Sequence, residues 1–555
     1  MLMLLQNEDL LGSFRRHRAE RGDDLYLIDH RTRSYTWSES VDAIEAIAKS
    51  LAKLIDGAGE RIAILSDNCA EWILADWGIM LSGHVSSPLF TTMMAEKLAY
   101  VVVQLDVKLL FLGNAANWEA VEAILPDGIT VVSLPHIETA PGTMPFADFV
   151  ALGEAQALPQ SGDPDALCSL ILTSGTTGYP KAVMHSQRSL LNVAQSFMQL
   201  TGQEDLDENR LFCHLPLAHI GEKTVSVVQS VLTGASITFS RGPDYFIEDL
   251  RRARPTLMLA VPRIWERLLA AALEHFRISG DNSESTADVQ QSGDSGAAVR
   301  EHLGLQDVTC FISGGAICPP YVKREFRQFG IDISDFYGQT EILPLTYQDG
   351  GAAVPDSVGT AAPGFDVAIG SDGEILGRGP GIALGYFQDE AKTAQTFKDG
   401  WVHTGDKGRI DDNGYLFITG RVSEEFKTAK GKFVAPGPIE KRYSEIELVE
   451  QCALVGLGLT QPVILCTLSE TAQELAEDAV ERQLLADTAS LNRDLEPHER
   501  IGAILVCRAP WTIEDGLLTH TQKIIRAKLA ESVAGEISQL ATELSAGSRG
   551  FVRWN

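Results

Sequence analysis

Residues 172–185 read Leu172-Thr-Ser-Gly-Thr-Thr-Gly-Tyr-Pro-Lys-Ala-Val-Met-His185 and are the most informative part of the sequence. The apolar run Leu167–Leu172 leads into it and predicts a buried strand, and a helical pattern follows from about Ser186. Glycine and small hydroxyl residues at this position let backbone N–H groups approach phosphate oxygens closely, and Lys181 adds a positive charge. Because Lys181 lies three residues after Gly178, the stretch is not a Walker A loop. It predicts another kind of phosphate-binding loop, with a simple Gly/Thr turn as the alternative.

Strands and helices alternate on either side of this loop. Apolar residues at helical spacing predict a helix over Ser38–Ile55, with Ser38 or Ser40 as its N-cap. Short apolar runs predict further buried strands at Arg61–Ser66, Lys108–Leu112, Ile129–Ser133 and Pro255–Val261. This alternation predicts an α/β fold in which helices cover parallel sheets. Beyond Arg421 we expect fewer buried strands, more charge and a helix over Ala527–Leu544.

Composition and charge exclude several classes of protein. The chain has 555 residues, 45% hydrophobic and 22% charged, which predicts three or four globular subdomains and excludes a disordered or collagen-like chain. There are 46 Lys and Arg against 75 Asp and Glu, a net charge of −29. Such a chain repels a nucleic-acid backbone, so we expect no nucleic-acid partner. A nucleotide substrate would need local cations or a metal.

The compartment follows from the first residues and from the cysteines. The segment Met1–Asp9 lacks both a basic start and a long apolar run, so we expect no secretory signal. No run approaches 18 uninterrupted apolar residues, so we expect no transmembrane segment. The eight cysteines are scattered without metal-like pairing, which predicts free thiols in a reducing compartment. The expected location is cytoplasmic.

Further motifs follow in a fixed order and resemble those of the adenylate-forming (AMP-binding) superfamily. The segments His214–Glu222 and Val261–Arg267 resemble the long-chain fatty-acid acyl-CoA synthetase branch in particular. The complete series is Thr173–Gly178 with Pro180-Lys181, His214–Glu222, Val261–Arg267, Ser313–Ala316, Asp335–Glu341, Gly373–Gly379, Gly385–Phe387, Trp401–Asp406, Gly420-Arg421 and Leu517–Lys523.

The resemblance implies an architecture and a reaction. It implies a large N-terminal AMP-binding (adenylation) domain over residues 1–420, made of two packed α/β sheets and a small β-barrel. A smaller, mobile α+β lid domain would cover residues 421–555. The implied enzyme is an AMP-forming acyl-CoA synthetase, which converts a hydrophobic, long-chain fatty acid with ATP and CoA into acyl-CoA, AMP and pyrophosphate. Its implied cofactors are ATP, Mg²⁺ and CoA.

The resemblance also implies a role for each matching residue. The β- and γ-phosphates of ATP would bind Thr173, Ser174, Gly175, Thr176, Thr177 and Gly178, flanked by Lys181. Tyr337, followed by Gly338, would stack on adenine, and Gly314, Gly315 and Ala316 would shape the wall of the adenine site. The ribose would bind Asp406, with Arg421 beside it. Catalysis would involve Thr340 at the α-phosphate, Lys523 at the substrate carboxylate, His219 at the acyl site, and Mg²⁺ held by Glu341 and Thr173.

Each of these residues also has a structural interpretation. Tyr337 could be a core aromatic, Asp406 a turn former, and Glu341 or Lys523 an ordinary surface charge. His219 could equally be a core histidine with satisfied hydrogen bonds.

Four residues depart from the family pattern near the C-terminal motifs. They are Ser423 at the hinge, Lys430 in the following loop, and His520 and Gln522 before Lys523. The acceptor of the acyl group therefore stays open. One alternative is an acyl-AMP ligase that passes the acyl group to a carrier protein, an amine or another non-CoA acceptor, and a second is a non-catalytic nucleotide-binding partner. The oligomeric state is not predicted. Peripheral membrane contact is compatible with a long-chain substrate, although no basic amphipathic helix predicts it.

Overall fold

The structure is a computed structural model that describes residues 10–114, 118–159, 162–173, 179–203, 206, 208–279, 294–316, 318–422, 424–519 and 523–555. Its first part alternates short strands and helices. These are α1 (Leu10–Arg21), β1 (Leu25–Ile28), β2 (Tyr35–Thr36), α2 (Trp37–Leu54), β3 (Arg61–Ser66), α3 (Ala70–Leu81), β4 (Val85–Leu89), α4 (Ala95–Gln104), β5 (Val107–Gly113), α5 (Trp118–Glu122), β6 (Thr130–Ser133), β7 (Met144–Pro145), α6 (Phe146–Ala151), β8 (Leu167–Thr173) and β9 (Lys181–Ser186).

The middle part continues the alternation and contains a π-helix at Lys223–Val228. The regular elements are α7 (Gln187–Thr201), β10 (Arg210–Cys213), α8 (Ile220–Glu222), α9 (Gln229–Thr233), β11 (Ser236–Phe239), α10 (Phe246–Ala253), β12 (Leu257–Ala260), α11 (Pro262–Ser279), α12 (Asp294–Leu303), β13 (Cys310–Ser313), α13 (Pro320–Arg327), β14 (Ile333–Gln339), β15 (Ile342–Gln348) and β16 (Thr360–Ala361).

The last part is richer in short strands. It contains β17 (Asp366–Ile369), β18 (Glu374–Arg378), β19 (Gly385–Tyr386), α14 (Glu390–Thr396), β20 (Phe397–Lys398), β21 (Trp401–Ile410), β22 (Leu416–Arg421), β23 (Phe426–Lys427), β24 (Phe433–Val434), α15 (Pro436–Tyr443), β25 (Val449–Val455), β26 (Val463–Leu468), α16 (Glu470–Gln473), α17 (Glu477–Leu491), β27 (Ala503–Cys507), α18 (Arg526–Ser532), α19 (Ala534–Ser545) and β28 (Phe551–Trp554).

The largest sheet has eight strands in the order β19-β9-β8-β4-β3-β5-β6-β7. Its centre is parallel, with β3 between β4 and β5. The sequence of β3 is almost continuously apolar and its residues from Ile62 onward are buried, as expected for a strand with both faces covered. Strand β9 runs antiparallel to β8, so Lys181 lies opposite Thr173 across the loop that connects them.

A second sheet places the other candidate segments. Its order is β12-β13-β14-β15-β16, with β12, β13 and β14 parallel and β15 antiparallel to β14. The carboxyl ends of β13 and β14 therefore lie at the same edge, the usual position of ligand sites in such sheets. A third sheet has four strands in the order β10-β11-β1-β2.

The chain divides into two compact units. The larger unit comprises residues 1–368, 376–403 and 411–416, and the smaller comprises residues 369–375, 404–410 and 417–555. The smaller unit contains a four-stranded sheet, β25-β26-β27-β28, and the pair β23-β24. This mixed α/β architecture with several sheets confirms the predicted fold class. Among the helices that the structure describes, none is long and apolar enough to cross a membrane.

Comparison with the sequence predictions shows where local pattern is sufficient. Strand β3 has the predicted bounds, and the other four predicted strands are present within two residues. The helix predicted over Ser38–Ile55 is α2, but the predicted cap is wrong. Thr36 is the N-cap, because its hydroxyl accepts from the Glu39 N–H at 3.2 Å while the Glu39 carboxylate accepts from the Thr36 N–H at 2.9 Å.

The smaller unit also contains buried strands beyond Arg421. Strands β26 and β27 are completely buried, and β27 is the parallel neighbour of both β26 and β28. The expected helix over Ala527–Leu544 is present as α18 and α19. All eight cysteines are described, and all are free thiols.

The π-helix Lys223–Val228 is completely buried and carries an ion pair in the core of the larger unit. The Lys223 ammonium donates to both carboxylate oxygens of Asp76, at 2.6 and 2.8 Å, and both side chains are fully buried. Ser86 also donates to this carboxylate, and the Trp72 ring lies 5.7 Å from the Lys223 nitrogen. Each charge compensates the other, which is the condition for burying either.

Removing one charge of this pair should therefore destabilise the folded protein more than removing both charges. We expect Lys223→Met to lower the free energy of unfolding by about 3–5 kcal/mol, because it leaves the Asp76 carboxylate buried without a cation. The double variant Lys223→Met/Asp76→Leu should lose less. Urea midpoints and apparent melting temperatures of both variants test this. A double variant no more stable than Lys223→Met would contradict it.

Candidate active site

The predicted phosphate-binding loop is anchored by a strand pair in the larger unit. Ser174, Gly175, Thr176, Thr177 and Gly178 lie outside the described residues, so their predicted role stays a prediction.

Both ends of the loop are described. Thr173 ends β8 and Lys181 begins β9, and the Thr173 hydroxyl donates to the Lys181 carbonyl at 3.4 Å. The structure thus brings Thr173 and Lys181 together at the base of the loop.

Thr340 and Glu341 form the two-residue turn of the hairpin that joins β14 to β15. Gln339 and Ile342 are paired across this turn. The Glu341 carbonyl accepts from the Ala383 N–H at 3.0 Å, which fixes the backbone of the turn. The Glu341 side chain is largely buried, with 9% of its surface exposed. The interpretation of Glu341 as an ordinary surface charge is therefore wrong.

Tyr386, at the end of β19, holds the Glu341 carboxylate. Its phenol donates a hydrogen bond to Glu341 Oε1. The ring also faces Lys181, whose nitrogen lies 5.8 Å from the ring centre. Burial, with smaller contributions from the Glu341 charge and its hydrogen bond, raises the pKa of the Tyr386 phenol, so the phenol stays a donor at neutral pH.

Lys181 is held in an environment that favours loss of its charge. Partial burial lowers the pKa of its ammonium most, and the nearby Lys392 lowers it further. The negative charges of Asp389 and Glu341 act in the opposite direction. A cation in this environment gains from any additional anion, so the position suits an anionic ligand such as phosphate.

His185, in strand β9 of the largest sheet, fixes the same turn. Its ring is completely buried in β9, and its Nε2–H donates to the Thr340 carbonyl at 3.0 Å. Burial lowers the pKa of His185 to about 4, so the ring is neutral and its Nδ1 accepts from the Ser189 hydroxyl at 3.1 Å. His185 is therefore a positioning residue for the Thr340–Glu341 turn.

The segments predicted for adenine lie at the common edge of β13 and β14. Gly314, Gly315 and Ala316 follow β13 directly, and Gly315 has a φ of 81°, which favours glycine. Tyr337 is buried in β14, and a Cβ at Gly338 would lie 2.8 Å from the Ile342 carbonyl oxygen. The hairpin therefore needs glycine at position 338. Adenine stacking by Tyr337 stays a prediction, and its burial is compatible with a core aromatic.

The smaller unit contains the other candidates. Arg421 ends β22 and donates through Nε to Asp406 Oδ1 at 2.8 Å, and Asp406 is buried in β21.

Lys523 is exposed, and its backbone carbonyl accepts a hydrogen bond from the Thr519 N–H at 2.7 Å. Ser423, His520 and Gln522 lie outside the described residues. Lys430 occupies an exposed turn between β23 and β24.

His219 has a local structural role. It is the N-cap of α8, and its Nδ1 accepts from the Gly221 N–H at 3.1 Å. Just beyond it, burial raises the pKa of Glu222 to about 7, and the Ser226 hydroxyl donates to its Oε1 at 2.6 Å. This cap is compatible both with a histidine that lines the acyl site and with a purely structural histidine. The catalytic role of His219 therefore stays a prediction.

Two residues that hold the Thr340–Glu341 turn were not identified from the sequence. Tyr386 stands in a segment that resembles the family, but its contact with Glu341 spans 45 residues. His185 ends the quoted loop segment, and its contact with Thr340 spans 155 residues. Both act through tertiary contacts, which no local spacing indicates.

The chemistry of this site fits a hard cation. Glu341 offers a carboxylate held on one oxygen by a neutral donor, and Thr173 offers a hydroxyl at the base of the loop. Carboxylate and hydroxyl oxygens are ligands that Mg²⁺ prefers. The residues present are therefore compatible with Mg²⁺.

Comparison with known proteins agrees with this geometry. Residues 14–387 match the family model of AMP-binding enzymes, and residues 426–545 match the model of the AMP-binding enzyme C-terminal domain. The chain belongs to the AMP-binding enzyme family.

Two curated relatives and one solved structure illustrate the similarity. Long chain acyl-CoA synthetase 6, peroxisomal, from Arabidopsis thaliana is 27% identical, over an alignment that covers 92% of this chain and 82% of the relative's chain. Long-chain-fatty-acid–CoA ligase FadD15 from Mycobacterium bovis is 26% identical, over 94% of this chain and 95% of the relative's chain. The A-PCP didomain of carboxylic acid reductase from Segniliparus rugosus, in complex with AMP, has a TM-score of 0.79 at 20% identity and covers 98% and 83%. At that identity the structure shows the fold alone.

The buried His185 predicts a pH dependence of stability. Its pKa is about 4 in the folded protein against 6.5 in the unfolded chain, so between these values only the unfolded chain takes up the proton. The free energy of unfolding should therefore fall as the pH drops from 6.5 towards 4. In His185→Gln, which keeps an N–H donor, this fall should be smaller.

Melting temperatures at about pH 7 and pH 5 measure the effect. The exposed His30 provides the control, and His30→Gln should leave the wild-type pH dependence unchanged. An equal pH dependence in His185→Gln and the wild type would contradict the assignment.

Proposed function

We propose that this chain is a long-chain acyl-CoA synthetase of the AMP-forming type. The proposal rests on one observation above all, the Thr340–Glu341 turn that Tyr386 and His185 hold beside Lys181 in an AMP-binding enzyme. The names of the curated relatives, which include fatty-acid–CoA ligases, support the substrate class.

The reaction would proceed in two steps. A carboxylate oxygen of the fatty acid attacks the α-phosphorus of ATP, a P–O bond forms, and pyrophosphate leaves with the electrons of the broken bond. The sulfur of CoA then loses its proton and attacks the acyl carbon, and AMP leaves. Both steps move negative charge across phosphate oxygens, so the protein contributes mainly by positioning and electrostatic stabilisation.

The larger unit would act on the phosphates. The backbone of residues 173–178 would bind the β- and γ-phosphates, and Lys181 would offset their charge. Bound Mg²⁺, held by Glu341 and Thr173, would neutralise phosphate oxygens. Because His185 and Tyr386 fix the turn before substrate binds, Thr340 would meet the α-phosphate without further ordering of the backbone.

The remaining roles follow the family pattern. Tyr337 would stack on adenine against Gly314, Gly315 and Ala316. Asp406, oriented by Arg421, would accept from the ribose hydroxyls. Lys523 would contact the substrate carboxylate and the α-phosphate during adenylation, and His219 would line the acyl site.

Three broader statements belong to the same proposal. The functional boundary would lie at Arg421, with an adenylation domain over residues 1–420 and a lid domain over residues 421–555. The substrates would be ATP, CoA and a hydrophobic carboxylic acid. A cytoplasmic location would keep the eight free thiols reduced.

Product mass spectrometry tests the reaction directly. The protein is incubated with MgATP and a panel of short, medium and long-chain fatty acids, with and without CoA. We expect long-chain acyl-CoA when CoA is present and acyl-AMP when it is absent. Acyl-AMP that persists with CoA present would contradict CoA as the acceptor. No acid-dependent AMP at all would contradict the enzyme class.

Lys523 gives a residue-level test. Lys523→Ala should reduce acyl-AMP formation by roughly 100-fold or more, because a cation that offsets developing charge at the α-phosphate contributes several kcal/mol. The exposed Lys528, five residues later on α18, is a matched control whose change to Ala should leave the rate unchanged. Both rates are measured as pyrophosphate released in the presence of the fatty acid, after a check that each variant melts like the wild type. Wild-type rates in Lys523→Ala would remove Lys523 from the mechanism.

A further inference from the structure

A second cluster of chemically active side chains includes none of the candidate active-site residues. Cys69, Glu71 and His136 each offer one potential ligand atom, and these three atoms all lie within 4.8 Å of one another. Cys69 and Glu71 are completely buried, and His136 is half-buried. A thiol, a carboxylate and an imidazole are the donor types that bind zinc in proteins.

The topology places the cluster where parallel strands end. Cys69 is the N-cap of α3 and follows β3, and Glu71 lies in the first turn of that helix. His136 lies in the connection that follows β6. Strands β3, β5 and β6 are parallel neighbours, so their carboxyl ends share one edge of the largest sheet. Ligand sites of open α/β sheets occur at this edge.

The His136 and Glu71 side chains are each oriented by a hydrogen bond that leaves one ligand atom available. The His136 Nε2–H donates to the Gly113 carbonyl at 2.6 Å, which in the neutral ring leaves the lone pair on Nδ1. The Tyr35 phenol donates to Glu71 Oε1 at 2.8 Å and leaves Oε2. Both Nδ1 of His136 and Oε2 of Glu71 are buried and have no hydrogen-bond partner among the described residues. Outer hydrogen bonds of this kind orient the ligands in known metal sites.

The backbone makes room for the cluster. A Cβ at Gly113 would lie 2.6 Å from the His136 ring carbon Cε1, so the imidazole can reach the strand ends only because residue 113 is glycine. The hydroxyl of Ser66, at the end of β3, lies 3.7 Å from the Cys69 sulfur.

Charge balance favours a divalent cation. The described residues place no ammonium or guanidinium against the buried Glu71 carboxylate, and an uncompensated buried charge is costly. Arg31 is paired with a different buried carboxylate, that of Asp29, at 3.2 Å. A thiolate and a carboxylate would together neutralise one divalent cation.

We propose that Cys69, Glu71 and His136 form a binding site for a zinc-type divalent transition metal, with the ligand atoms Sγ, Oε2 and Nδ1. The metal would be tetrahedral, with water as the fourth ligand. It would tie the start of α3 to the connection after β6 and stabilise the carboxyl edge of the sheet. This site is independent of the proposed function.

Cobalt gives a spectroscopic test that does not depend on enzyme activity. Full-length, tag-free protein is stripped of metal with a chelator and titrated with Co²⁺. We expect one equivalent to bind with a thiolate-to-cobalt charge-transfer band and tetrahedral d–d bands, and Zn²⁺ to displace it. Zn²⁺ should also raise the melting temperature of the stripped protein.

Variants separate this site from nonspecific binding. Cys69→Ala should abolish the charge-transfer band, and His136→Ala should weaken Co²⁺ binding at least tenfold and remove the Zn²⁺ effect on melting. Cys168→Ala removes another buried free thiol and should behave like the wild type. If Cys69→Ala does not fold, the half-exposed His136 still decides the question.

Three outcomes would overturn the proposal. They are a wild-type protein without the band at one equivalent of Co²⁺, a band retained in Cys69→Ala, and unchanged binding in His136→Ala.

Discussion

The hydrogen bond from the Tyr386 phenol to the Glu341 carboxylate is the interaction on which the candidate site depends. It holds a carboxylate in a largely buried position without neutralising its charge, because the donor is a neutral phenol. The same ring faces the Lys181 ammonium, so strands β9 and β19 and the turn between β14 and β15 present one cation and one anion beside the base of the predicted phosphate-binding loop. A site that must bind both phosphate and a cation needs this separation of charges.

The rest of the larger unit supports that turn. Strand β9 has two roles, because it carries Lys181 at its start and the buried His185 near its end, and His185 holds the Thr340 carbonyl. The antiparallel pairing of β9 with β8 and β19 fixes the position of His185, and His185 in turn fixes the hairpin of the second sheet. A one-residue slip in β9 would turn His185 away from the hairpin, so the site requires this register.

Sequence alone was sufficient for features that depend on local pattern. Strand β3 and helix α2 were predicted because their apolar periodicity is continuous. The phosphate-binding loop was inferred from small residues adjacent in the chain, and its role stays a prediction because residues 174–178 lie outside the described residues. The N-cap Thr36 was missed because it also ends the short strand β2, where an extended residue gives no helical signal.

Long-range pairing was beyond the sequence pattern. Strand β9 was not predicted as a strand distinct from the preceding loop, because only the folded structure shows its pairing with β8 and β19. The partners of Glu341 and the cluster around Cys69 likewise depend on residues far apart in the chain. Role assignments such as Lys523 and Asp406 came from resemblance to a family, and they stay predictions.

Exchange of labelled pyrophosphate into ATP, with a long-chain fatty acid, Mg²⁺ and no CoA, reports the adenylation step alone and so shows whether the Tyr386–Glu341 hydrogen bond contributes to it. The variants to compare are Tyr386→Phe, which removes the phenol that holds Glu341, and Tyr347→Phe, which removes a phenol 3.3 Å from the Ser334 hydroxyl on the same hairpin. We predict acid-dependent exchange in the wild type and a roughly 10- to 100-fold loss in Tyr386→Phe, as expected for one hydrogen bond to a charged group. Tyr347→Phe should stay close to the wild type. Wild-type exchange in Tyr386→Phe, or no acid-dependent exchange in the wild-type protein, would contradict the account.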